Sequence, residues 1–271
     1  MTAVVYRWEL RKLVAQKRTY AGLIAATIFA LAFVLVLRFK HNAAVPTDIP
    51  LGAQVKQTGL ALPLVLLQFA SIFGAPLITA LVASDIVATE HQNATLKMVL
   101  TRSVTRGQLF AGKAFAAATY TVAVIFTCGV VSFAGASLAF GLHPLRDMAG
   151  NVHSVGHAFA LVLAGYGVYL LPAFVICAFA FFLSVVARNG AAALIGALLY
   201  ALGFQLVSAL PGIGGVKRYL LPDQWRAWQA IFNAPGHAGA PLRAIWVCAI
   251  YITVPLVVAW VVFRRRDVAG D

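Results

Sequence analysis

Six stretches of this chain contain no Asp, Glu, Lys, Arg or His: about 20–37, 60–83, 114–140, 158–187, 191–210 and 244–263. A helix needs about 20 apolar residues to cross roughly 30 Å of hydrocarbon, and each stretch is near that length or longer. In lipid an unpaired backbone amide costs several kcal/mol, so each stretch must be helical. The expected fold is all-α and integral to the membrane, with six transmembrane helices forming a single domain over residues 1–271. Composition agrees: 62% of residues are hydrophobic and 11% charged, against about 25% charged in a soluble domain. Read without a break, the fourth and fifth stretches would make one helix of about 80 Å. Arg188-Asn189-Gly190 is therefore expected to be a tight turn at the membrane surface.

Charge fixes an expected direction. Six crossings leave both termini on one side, which then holds 13 of the 21 basic residues: Arg7, Arg11, Lys12, Lys17, Arg18, Lys97, Arg102, Arg106, Lys113, Arg188 and Arg264 to Arg266. By the positive-inside rule that side is cytoplasmic. The first stretch exceeds a signal-peptide core and has no small-residue cleavage site directly after it, so it reads as an uncleaved span. The net charge of +13 belongs beside anionic headgroups; no basic face is interleaved with aromatics, and nucleic acid is not an expected partner.

Residues 1–19 are too polar to cross. At 100° per residue Tyr6, Leu10, Leu13 and Val14 form one stripe and Arg7, Arg11 and Arg18 another, with Lys17 placed to snorkel. This pattern predicts an amphipathic entry helix lying in the headgroup plane of the bilayer.

Several chemistries are set aside. Cys128, Cys177 and Cys248 each sit inside an apolar run and read as small core residues. His153 and His157 are four apart, but Ser154 stands where a zinc protease needs its Glu, so they read as loop histidines. Gly107–Ala114, GQLFAGKA, satisfies Gly-x-x-x-x-Gly-Lys but ends in Ala where Mg²⁺ binding needs Ser or Thr. It follows a capping Thr and runs into an apolar helix, so it is not a nucleotide loop; Lys113 reads as a headgroup-level anchor. An ion-coupled carrier or channel usually places Asp, Glu or His inside a span. These spans offer Gln68, Gln205, Tyr166, Tyr169 and scattered hydroxyls, which points to an outside energy source and a greasy or amphiphilic cargo. A scaffold that transports nothing is a third class.

Residues 84–113 form the longest inner connection. Asn93 or Thr95 can cap a short helix over Thr95–Leu100, and Thr105-x-x-Gln108 reads as a capping box for the third span. Leu96, Val99 and Leu100 share one face of the short helix, and an apolar face in the cytosol requires a protein partner. Glu90, Thr95-Leu96-Lys97, Leu100, Ser103-Val104-Thr105-Arg106 and Gly112-Lys113 together resemble the inner loop of ABC-2 type ABC transporter permeases, in the branch with bacitracin-resistance and lantibiotic-immunity permeases. Ala94 and Ser103 depart from the Gly and Pro usual there. The resemblance implies a permease subunit that binds no cofactor itself. ATP and Mg²⁺ would be handled by a soluble ABC ATPase subunit, two copies of which pair with this permease and a second, identical or paralogous one. It further implies export across the bacterial inner membrane, with Ala94–Leu100 as the coupling helix positioned by Glu90, Lys97 and Arg106. Pro76, Pro172 and Pro255 are expected helix kinks. Ala192-x-x-x-Gly196 and Ala193-x-x-x-Ala197 offer a small-residue face for packing within the chain or at a permease seam. The outer segment 211–243, with Trp225, Trp228 and Phe232, is expected to rest at the outer interface, where aromatic belts form.

Overall fold

The computed structural model describes residues 2–39, 51–92, 105–146, 150–187, 189–232 and 239–265. Helix α1 (Thr2–Ala15) meets α2 (Lys17–Phe39) across Gln16, whose N–H donates to the Leu13 carbonyl while its own carbonyl accepts from Thr19. A 3₁₀ turn (Gly52–Gln54) leads to α3 (Leu62–Ala70), α4 (Gly74–Ala83) and the short α5 (Ala88–Gln92). Then come α6 (Arg106–Phe140), strands β1 (Leu145–Arg146) and β2 (Val152–His153), α7 (Val155–Ala187) and α8 (Gly190–Ala209). Two short helices, α9 (Gly214–Lys217) and α10 (Leu221–Trp225), and a 3₁₀ segment (Ala227–Phe232) precede α11 (Gly239–Arg265).

The chain is a multi-pass α-helical membrane protein. Among the described residues five helices, α2, α6, α7, α8 and α11, are long and apolar enough to cross; α3 and α4 make a sixth crossing only when joined, and they meet at a 67° bend. The second stretch is thus a broken helix, not the continuous one expected. Pro76 is the third residue of α4, and its ring would clash with the Ile72 carbonyl of a continuous helix, to which it has no N–H to offer. The chain turns at Ser71–Phe73 instead, and the Ser71 hydroxyl donates to the Gln68 carbonyl at 2.7 Å. Pro172 and Pro255, by contrast, lie inside α7 and α11, which continue through them. The other departure from an all-helical plan is a small antiparallel pair, with Leu145 opposite His153.

Capping follows the local sequence. Thr105 and Gln108 form a reciprocal capping box at the start of α6, and the Asn189 side chain accepts from the amides of Ala191 and Ala192 to start α8. Helix α7 lies at the centre, packed on α4, α6, α8, α11 and the 227–232 segment. Its most apolar window is 56% buried, while the other four long helices have at most 28%. Ala193, Ala197 and Ala201 of α8 are buried, and a Cβ on Gly196 would lie 2.7 Å from Leu183. This small-residue face is therefore used inside the chain, while Ala192 is exposed.

Within the segment expected at the outer interface, residues 220–232 pack into the bundle, while 211–218 stay largely exposed. Trp225, Trp228 and Phe232 are 2%, 1% and 1% exposed, so they are core and not belt residues. The Trp225 ring lies 4.5 Å from that of Tyr169, near the middle of α7. Gln229 donates to Gln68 at 3.0 Å, and Asp223 is paired with Arg243 of α11 at 3.1 Å.

At the hairpin end, residues 54–59 are tied down by polar contacts. Gln54 donates to the Arg146 carbonyl and accepts from its amide, Thr58 donates to the His143 carbonyl, and the Gly59 amide donates to Gly141. A Cβ on Gly59 would sit 2.8 Å from the backbone of Ala136 and Ser137. Backbone cannot step aside as a flexible side chain can. Gly59→Val is expected to cost about 1–3 kcal/mol, read as a lower unfolding temperature in detergent; unchanged stability would show that this approach is loose.

Candidate functional site: a buried ion cluster

The chain carries only eight acidic residues against 21 Lys and Arg. Three of the eight, Glu9, Asp85 and Glu90, gather at the end where α1 meets α6. Their presence there follows from Lys113, which lies eight residues past the Thr105 cap and is 0% exposed. A buried ammonium must be paired and hydrogen-bonded. Lys113 uses its three donors on Glu9 at 3.0 Å, Glu90 at 2.8 Å and the Ile86 carbonyl at 3.1 Å. Lys12, half-buried, also pairs with Glu90. Two carboxylates and two ammoniums sum to zero charge. Beside them Arg18 of α2 pairs with Asp85, and a Cβ on Gly190 would collide with that Asp85 carboxylate.

Each member is held by its own element. Val5, Glu9 and Leu13 recur every four residues and form the buried face of α1. A Cβ on Gly112 would lie 2.8 Å from Val5, so a bare glycine lets α1 lie directly on α6. Glu90 lies on α5, whose start is met from another helix: the buried Ser184 hydroxyl of α7 accepts from the amide of Val87, just before α5, at 3.2 Å and from that of Ala88, its first residue, at 3.0 Å. Burial alone would raise the Glu90 carboxyl, but the Lys113 charge and hydrogen bonds from Lys113 and Lys12 outweigh it and hold it below its ordinary value.

The expected site residues divide accordingly. Leu13 is buried, Tyr6 and Leu10 are half-buried, and Val14, Arg7 and Arg11 are exposed. The face of α1 turned to the protein is thus centred on Glu9, rotated from the Tyr6–Leu10–Leu13–Val14 stripe. Tyr6 bonds Thr119 of α6 at 2.8 Å. Glu90 joins the cluster. Arg106 donates to the Arg264 carbonyl at 2.8 Å, tying α6 to the end of α11; behind it Phe110 packs edge-on against Phe181 and Trp260. Thr95, Leu96, Lys97, Val99 and Leu100 lie outside the described residues. Lys113 is no headgroup anchor: it faces inward to the carboxylates, and the stretch Gly107–Ala114 is helix throughout. Sequence reasoning missed Glu9, Lys12, Asp85 and Ser184. The available signal was Glu9, the first acidic residue of the chain and the only one before Asp48.

Elsewhere, the rings of His153 and His157 lie 5.0 Å apart. Among the described residues no three His, Cys, Asp or Glu side chains converge as metal ligands would. Cys128, Cys177 and Cys248 are buried and unbridged.

Fold and site together define a multi-pass helical membrane protein with one end locked by internal ion pairs. The chain belongs to the family described as protein of unknown function DUF2705, whose pattern matches residues 23–269. That region holds Glu90 and Lys113 but not α1. No curated protein matches the chain.

Replacing Lys113 with Met strands the buried Glu9 and leaves Glu90 to Lys12 alone, and is expected to cost about 3–5 kcal/mol. Adding Glu9→Gln and Glu90→Gln should recover most of that loss, since Lys12 can turn to solvent. Thermal unfolding in detergent reads both steps; a harmless Lys113→Met would show that the pairing is unimportant. For pH, a lowered Glu90 pKa contributes stability above the ordinary carboxylate value of about 4.3, lost as pH falls through the lower folded-state value. Unfolding temperature should therefore hold from pH 7 to 5, and Glu90→Gln should flatten part of the decline below about pH 4.

Proposed function

We propose that this chain is the membrane-spanning permease subunit of an ATP-driven, ABC-2 type exporter. The observation that carries the reading is the ion cluster at residues 85–90, in the first part of the expected 84–113 coupling loop. It joins the entry helix, the stem of that loop and α6 through one buried ammonium. A displacement of the loop stem would reach α1 and α6 as a rigid push. In this reading α3 and α4 count as one broken crossing, giving six and placing both termini on the cytoplasmic side of a bacterial inner membrane. A separate ATPase, in two copies, hydrolyses ATP with Mg²⁺ and holds the Leu96, Val99 and Leu100 face, with Lys97 and Thr95 beside it. A second permease, identical or paralogous, completes the assembly. ATP binding shifts the permease only through its different affinity for the two states, and that difference passes through this contact. The apolar, uncharged spans suit a hydrophobic or amphiphilic cargo.

The test is association. Leu96→Asp with Leu100→Asp should abolish co-purification with the ATPase subunit while leaving the permease inserted and monodisperse. Undiminished co-purification of that variant would sink the assignment.

One observation favours a second reading, an ion-coupled carrier or channel without an ATPase. Discontinuous helices at membrane depth often build ion sites from freed carbonyls, and the α3–α4 break is such a helix. Uptake by liposomes holding the purified chain alone, driven by an ion gradient without ATP, would select that reading.

A further inference from the structure

A groove of about 470 Å³ opens between the first turns of α1 and one side of α6. Ala3 and Tyr6 form one wall and Phe115, Ala118, Thr119 and Val122 the other. The α6 residues fall at i, i+3, i+4 and i+7, so they make one stripe along a spanning helix. Phe115 is 62% and Val122 39% exposed, on a helix long and apolar enough to cross a membrane. The hydroxyls of Tyr6 and Thr119 bond each other, which leaves the floor apolar.

Charge beside the groove says what fills it. At 100° per residue Arg7 lies 40° and Arg11 80° round α1 from Ala3, one and two turns beyond the groove, on the exposed side away from Glu9. Helical side chains lean toward the N-terminus, which brings Arg7 back toward the turn that carries Ala3. Lys12 and Arg18 spend their charge on Glu90 and Asp85. Arg7 and Arg11 are exposed and have no acidic partner among the described residues. We infer that this groove holds one acyl chain of an anionic phospholipid, with its phosphate against Arg7 and Arg11. The inference rests on the membrane character of the chain alone and is independent of the exporter reading.

Native mass spectrometry on protein reconstituted with phosphatidylglycerol and phosphatidylethanolamine in known ratio tests it. The wild type should retain phosphatidylglycerol above its bulk share, by roughly fivefold for each arginine engaged. Ala118→Trp, which fills the groove, should lose the bound lipid. Arg7→Gln with Arg11→Gln should keep a lipid but lose the preference; these exposed positions decide the matter alone if Ala118→Trp does not yield folded protein. Retention of both lipids in their bulk ratio by the wild type, an undiminished preference in the arginine variant, or full retention by a folded Ala118→Trp would overturn the assignment.

Discussion

Leaving the Lys113 ammonium buried without counter-charge would cost several kcal/mol, and the layout of the charged end follows from meeting that requirement. One counter-ion, Glu9, comes from α1, so α1 must lie on α6, and Gly112 makes the approach close enough. The other, Glu90, comes from α5, so α5 must be held against α7, and Ser184 does this by taking the amides of Val87 and Ala88 at its start. A second carboxylate then needs a second cation, which Lys12 supplies from α1. Removing any member leaves a charge behind, so the cluster fixes positions more firmly than apolar contact of the same area would.

Further along the bundle a different constraint governs. Non-helical backbone at membrane depth survives only where the protein itself satisfies its polar groups. At the α3–α4 break Ser71 takes the Gln68 carbonyl, and Tyr169 of α7 donates to the Leu67 carbonyl at 3.0 Å. Tyr166 reaches the Pro63 carbonyl at 3.2 Å, and the Gln68 side chain meets Gln229 from the 227–232 segment. Folding Trp225, Trp228 and Phe232 inward covers this polar seam with rings. All of these groups are neutral.

What the sequence made legible was local. Six uncharged stretches, the Thr105–Gln108 capping box and the Asn189 cap each depend on residues within a few positions of one another, and the structure has all of them except an unbroken second stretch. Pro76 was visible as a point of weakness. The contacts that meet the break, including the Tyr169 hydroxyl on the Leu67 carbonyl, come from about a hundred residues away. The cluster was illegible for the same reason. Glu9 and Lys113 are 104 residues apart, and each alone looks like ordinary charge at a membrane surface. The aromatic segment misled because Trp and Phe spaced along a short helix suit a bilayer interface as well as a bundle interior; only the presence of Tyr169 and Gln68 opposite it selects the interior.

These two regions differ in how readily they can rearrange. A buried ion pair can separate only by exposing or re-pairing both charges, whereas a neutral hydrogen bond contributes a net of only about 1 kcal/mol and can be exchanged for another. The cluster therefore suits a part that moves as a block, and the seam of tyrosine, glutamine and serine contacts suits a part that changes partners. If force enters a helical bundle at its rigid end, deformation collects where the contacts are exchangeable. In this chain that place is the break between α3 and α4, facing the aromatic segment before α11. The same sequence features thus divide the protein into a stiff charged end and a more exchangeable neutral seam.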